Sequence, residues 1–139
     1  MRIKAILTVL LALAAFSAAA QEQLTPEQRE KQLYENIQKQ VDDLTLSLKL
    51  EDWQVFYLDS ILVNNYTAMS AEFEEMSNNR VSSQDLYIYI QDKWMDETYD
   101  AIHKILDDNQ WQKYLKQGAA KAKKARDKRA EKRENQKIL

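Results

Sequence analysis

Apolar residues recur along this chain at steps of three and four, with polar residues between them. The longest such run lies between Leu50 and Met76, where Val55, Leu58, Leu62, Tyr66, Met69, Phe73 and Met76 form one stripe uninterrupted by Gly or Pro. That spacing predicts a helix packed lengthwise against other helices. A second stripe, Trp53, Tyr57, Ile61 and Ala68, lies beside the first. One helix with two apolar stripes has more surface to bury than a single neighbour covers.

The flanking segments read the same way. Leu24-Thr25-Pro26-Glu27-Gln28 is a helix start, with Thr25 as N-cap, Pro26 at N1 and Gln28 reaching back to the cap. Leu33, Ile37, Val41, Leu44 and Leu48 then predict a helix over about 26–46. Leu50-Glu51-Asp52-Trp53-Gln54 repeats the start, with Leu50 and Val55 placed as a hydrophobic staple and either Glu51 or Asp52 as the cap. This second helix should reach about Met76. Residues 77–83 (Ser-Asn-Asn-Arg-Val-Ser-Ser) are polar and turn-forming, and predict a helical-hairpin loop in which Ser82 or Ser83 caps a third helix.

The third helix should run to about Ile105 on Tyr87, Ile90, Trp94, Thr98, Ala101 and Ile105, with Ile88, Met95, Tyr99, Ile102 and Leu106 beside them. The alternation Tyr87-Ile88-Tyr89-Ile90 also fits a strand, but helical spacing continues well past it. Leu106-Asp107-Asp108-Asn109-Gln110 is another start, with Asp107 as cap and Trp111 as staple partner. After Tyr114 and Leu115 the apolar face is lost. The Ala/Lys/Arg segment 116–139 has high helix propensity and little to bury, which predicts a projecting, fraying helix with Gly118 as its weak point. The expected fold is all-α: about four helices, a long antiparallel hairpin in a thin curved layer, and a basic helical tail.

Charge divides the chain. Residues 21–115 hold 8 Lys+Arg against 19 Asp+Glu, a net of −11, whereas residues 116–139 hold 10 against 3, a net of +7. The near-neutral total of −2 hides an acidic body with a basic tail. Residues 1–20 read as a signal peptide: Arg2 and Lys4 precede an apolar core at Ile6–Phe16, and Ala18-Ala19-Ala20 suits cleavage before Gln21. The expected location is therefore periplasmic. The chain contains no Cys, so no disulfide supports an exported fold.

Candidate chemistry is sparse. With one His, no Cys and no Gly-rich loop, the sequence offers no nucleophile signature, metal-ligand set or cofactor motif. His103 reads as a packed surface residue, and the pairs Asp96/Asp100 and Glu72/Glu75 read as solvated faces. Catalysis is not expected, and neither a cofactor nor a metal is implied. The aromatic load (Trp53, Phe56, Tyr57, Tyr66, Trp94, Tyr99, Trp111) reads mostly as core, with part of it free to meet a partner.

The three starts share the form L-[T/E/D]-x-x-Q, carried by Leu24, Thr25 and Gln28, by Leu50 and Gln54, and by Leu106, Asp107 and Gln110. On an exported, Cys-free, all-helical chain this resembles the LTXXQ family of Spy/CpxP-like periplasmic proteins. The resemblance implies a thin, bent helical cradle that pairs antiparallel with a second copy. It also implies ATP-independent chaperoning of unfolded envelope proteins, or regulation through a sensor kinase. The sequence departs from the pattern in replacing Thr by Glu51 and Asp107, and in carrying an acidic body where the family's chaperones present a basic concave face.

Three functions stay open: a holdase-type chaperone for unfolded or misfolded envelope proteins, a stress regulator with one specific partner such as a sensor domain, and a structural helical protein whose tail meets an anionic surface. For the chaperone, Trp53, Phe56, Tyr57, Ile61 and Met69 are the expected apolar contacts. Lys121, Lys123, Lys124, Arg126, Lys128 and Arg129 are the expected electrostatic ones. A homodimer is expected through the second stripe of helix 2, and export makes nucleic acid an improbable partner.

Overall fold

The structure is a computed structural model describing residues 24–137; the signal peptide expected at 1–20, with its cleavage near Ala20, lies outside the described residues. The chain forms α1 (Pro26–Leu48), α2 (Asp52–Asn78), α3 (Gln84–Ile105), α4 (Asp108–Tyr114) and α5 (Ala120–Lys137). α4 and α5 are separate helices joined by a kinked segment, Leu115–Ala119, in which Gly118 leaves the helical backbone conformation. There is no strand among the described residues. The alternating Tyr87–Ile90 segment lies inside α3, where helical spacing wins.

Local chemistry explains where each helix begins and ends. Thr25 caps α1 while Gln28 Oε1 accepts from the Thr25 N–H at 3.0 Å. Glu51, rather than Asp52, holds the N-cap of α2. Ser83, not Ser82, caps α3 by accepting from the Leu86 N–H. α2 closes on a Schellman turn: the Val81 N–H donates to the Met76 carbonyl at 2.9 Å and the Arg80 N–H to Ser77 at 3.0 Å. Lys49 and Arg80, at the ends of α1 and α2, take left-handed backbone angles (φ 52° and 56°) where Gly is usual.

Short connections make successive helices antiparallel neighbours. α2 packs along α3 and α1 along α2. The predicted stripe of α2 supplies the core: Leu58, Leu62, Tyr66, Met69 and Met76 are buried together with Ile37 and Val41 of α1, Ile90 and Ile102 of α3 and Trp111 of α4. Val55 and Phe73, the remaining stripe residues, are half-buried at its edge. One polar tie crosses this core, where Asn65 Nδ2 of α2 donates to Thr98 Oγ1 of α3 at 3.0 Å.

The tail does not project over its described length. α5 folds back along α3. The chain reverses at Leu106–Asp107, so that Trp111, Arg126 and Arg133 meet His103, Asp96 and Tyr89 in turn, and it kinks at Gly118, whose φ of 121° suits Gly alone and whose surroundings are open. The apolar count of the tail gave no reason for docking, because the contact is electrostatic.

Candidate functional site

The helix-start motifs at Gln54 and Gln110 come together at one end of the molecule. Gln54 Nε2 donates to Gln110 Oε1 at 2.7 Å, and Gln110 Nε2 donates back to Gln54 Oε1 at 3.1 Å. Each amide also serves its own cap: Gln54 Oε1 accepts from the Glu51 N–H at 2.9 Å, and Gln110 Oε1 from the Asp107 N–H at 3.0 Å. The remaining amide hydrogens close the ends of other helices, Gln54 on the Ile105 carbonyl at 2.8 Å and Gln110 on the Leu48 carbonyl at 3.3 Å. The pair thus ties the C-terminal ends of α1 and α3 to the N-terminal ends of α2 and α4. Gln28, in the first copy, has no such partner and only closes its own exposed capping box. Leu50 and Leu106 pack at the core edge, while Leu24 is half-buried.

This interlock positions the start of α2, where the exposed aromatics sit. Trp53 is 50% exposed, Phe56 67% and Tyr57 52%. The three touch edge-on, Trp53 with Tyr57 at 6.3 Å and Phe56 with Tyr57 at 5.5 Å between ring centroids. The indole N–H of Trp53 donates to Glu51 Oε2 at 2.6 Å, which fixes its orientation. The other two expected contacts are placed differently. Ile61 is half-buried against the core, and Met69 is buried at 5% exposure because it belongs to the main stripe facing α1 and α3. Leu46 at the end of α1 is 79% exposed, an apolar surface residue that periodicity had not singled out.

The basic tail residues divide into two sets. Arg126, buried to 7%, places Nε 2.6 Å from Asp96 Oδ1. Arg129 holds both carboxylate oxygens of the buried Asp92 at 2.8 Å each. Lys123 meets Asp96 at 3.3 Å and Asp127 at 2.9 Å, and these hydrogen bonds, Asp127's foremost, hold its ammonium pKa above the usual value. Arg133 approaches Asp92 at 3.5 Å and lies over the Tyr89 ring. Lys121, Lys124 and Lys128 are exposed. Of the six expected electrostatic residues, Lys123, Arg126 and Arg129 are therefore held by the protein itself. The complementary signal was present in the sequence as Asp92 and Asp96 four apart on α3 and Arg126, Arg129 and Arg133 at steps of three and four on α5.

Two carboxylates read as solvated are inter-helix ties instead. Asp96 is the partner of Arg126, and Glu72 accepts from Lys93 at 2.7 Å and from the Trp94 indole at 3.0 Å. The Lys93 hydrogen bond, ahead of that from Trp94, lowers the Glu72 pKa. His103 stacks flat on Trp111 with 3.9 Å between centroids. Among the described residues, no three His, Cys, Asp or Glu side chains are grouped to hold a metal ion. A shallow furrow runs along α1 from Lys31 to Asp43, lined by that helix alone. Comparison with protein-family models, curated proteins and solved structures gave no match to the chain. The fold and surface define an all-α protein with a rigidly based, solvent-facing aromatic patch.

Proposed function

We propose that this protein is an exported, ATP-independent chaperone of the holdase type, which binds unfolded or misfolded envelope proteins through Trp53, Phe56 and Tyr57. The observation that carries the proposal is the exposure of three adjoining aromatic rings on a helix whose opposite face already has a full core. Large aromatics with few rotatable bonds make weak, adaptable apolar contacts at low entropic cost. The likeness of the helix starts to those of LTXXQ proteins agrees with this reading, and so does the export-type segment at 1–20. A second copy meeting along Trp53, Tyr57 and Ile61 would compete for the same surface, so the proposed homodimer is a resting form that clients displace.

The test is light scattering from a chemically unfolded, unrelated protein diluted into buffer with stoichiometric amounts of this chain and no ATP. Suppressed aggregation is the expected result. The Trp53→Ala/Phe56→Ala/Tyr57→Ala variant should lose at least tenfold in potency while keeping its helical circular dichroism, because none of the three side chains is in the core. Equal potency in the variant would remove the patch as the site. No suppression by the wild-type chain at excess would favour a regulator with one specific partner.

A further inference from the structure

Docking sorts the tail by residue type. The Arg residues of α5 all lie on or flank the side that meets α3 through Asp92 and Asp96. The opposite side carries Lys121, Lys124, Lys128 and Lys132, all exposed, and none has a carboxylate within 4.0 Å among the described residues. Their steps of 3, 4 and 4 place them within an arc of about 80° and along a line of about 16 Å. The acidic residues of the segment, Asp127, Glu131 and Glu134, fall on one flank of this row. Since the ion pairs on the inner side hold α5 in place, the row is a fixed edge of the folded protein and not a set of charges on a free chain.

We infer that the Lys121–Lys124–Lys128–Lys132 row is a peripheral docking surface for an anionic phospholipid bilayer. Three features favour a bilayer over other polyanions. The row contains only Lys, a compact point charge, so it senses charge density and lacks the planar fork that fixes a particular phosphate. It has no aromatic residue on which a base could stack. It carries no large apolar side chain, so contact with a fluid, laterally adjustable surface would be adsorption without insertion. The body supplies orientation: its net charge of −11 over residues 21–115 repels an anionic surface and leaves the tail as the face that approaches. No described helix is long and apolar enough to cross a membrane, so any association of this part of the chain is peripheral.

The experiment uses the chain from Gln21 onward, which contains every described element, with sedimentable vesicles of phosphatidylcholine alone or mixed with phosphatidylglycerol. Binding is expected to the anionic vesicles only, and it should weaken steeply as salt is raised. Lys121→Gln/Lys124→Gln/Lys128→Gln/Lys132→Gln should weaken it by about fivefold per lysine, roughly two orders of magnitude or more in all. Gln matches Lys in helix propensity, so the variant keeps its fold. The control Lys31→Gln/Lys39→Gln/Lys104→Gln/Lys113→Gln makes the same change in net charge and should cost less than threefold. Equal losses in the two variants would overturn the row as the site. Absence of vesicle binding, or duplex DNA competing the chain off vesicles through the same lysines, would overturn the lipid assignment. The Trp53→Ala/Phe56→Ala/Tyr57→Ala variant, which leaves the row intact, should bind anionic vesicles as the unsubstituted chain does, so this inference and the chaperone reading fail separately.

Discussion

Gln54 and Gln110 show what a single residue type accomplishes when two capping boxes face each other. A Gln at N3 normally closes its own cap, and any acceptor would serve. Here each amide uses both of its oxygen lone pairs and both of its hydrogens, because its partner is another amide in the same role. Glu could not replace either residue without losing the donated bonds. Gln54→Ala takes from the Ile105 carbonyl and the Glu51 N–H their bonds to the amide, and from half-buried Gln110 one donor and one acceptor, and should cost about 2–3 kcal/mol, whereas Gln28→Ala in the exposed first copy should cost less than about 1 kcal/mol. A double-mutant cycle on Gln54→Ala and Gln110→Ala, followed by urea unfolding, should give a coupling of about 1–2 kcal/mol. A coupling near zero would mean that the two amides act independently.

At the scale of elements, α5 is unusual in being held almost entirely by charge. Its small side chains are Ala, an isolated helix of its length is marginal in water, and Asp92 and Asp96 supply its anchors on α3. Asp92→Asn should therefore release α5 without unfolding the rest. The cost should be about 1–2 kcal/mol, below that of a fully buried pair because the Arg129 side chain remains 43% exposed. Amide hydrogen exchange is the direct readout: protection over Ala120–Lys137 should fall about tenfold while that of the Leu58 and Leu62 region stays, and a uniform loss would contradict local release. The same element marks the boundary of what could be read from sequence. Stripes and caps placed α1 to α4 because burial and capping leave periodic local signals. The docking of α5 on α3 left none in the apolar pattern. It depends on matching charge rows far apart in the chain and on a kink at Gly118, whose backbone angle is invisible in one dimension. Met69 shows the converse: as a flexible apolar residue it fitted a binding surface by type, but its place on the main stripe of α2 already put it in the core.

For the whole molecule, the point where most elements meet is an aromatic and cationic junction. Tyr66 of α2 donates to Gln40 of α1 at 2.9 Å, and its hydroxyl lies within the electrostatic reach of Arg126 of α5 and Tyr114 of α4. Burial pushes the Tyr66 pKa up to about 12, outweighing the lowering effects of Gln40 and Arg126. Burial raises Tyr114 as well, reinforced by Tyr66. A phenol whose folded pKa exceeds its unfolded value near 10 stabilises the fold fully below pH 10. Between pH 10 and 12 the unfolded chain gives up its proton while the folded chain keeps it, so stability falls as pH rises through that window. For Tyr66 alone the loss should be about 2–3 kcal/mol, large against the stability of a domain this size. Denaturant midpoints measured from pH 8 to 12 should therefore decline steeply above pH 10. Tyr66→Phe should start lower, having lost the bond to Gln40, but decline less over the same window. If the two proteins lose stability in parallel, the alkaline transition arises elsewhere. If only the variant's initial stability differs and both remain flat to pH 12, the junction does not hold its hydroxyl away from water when the chain is folded.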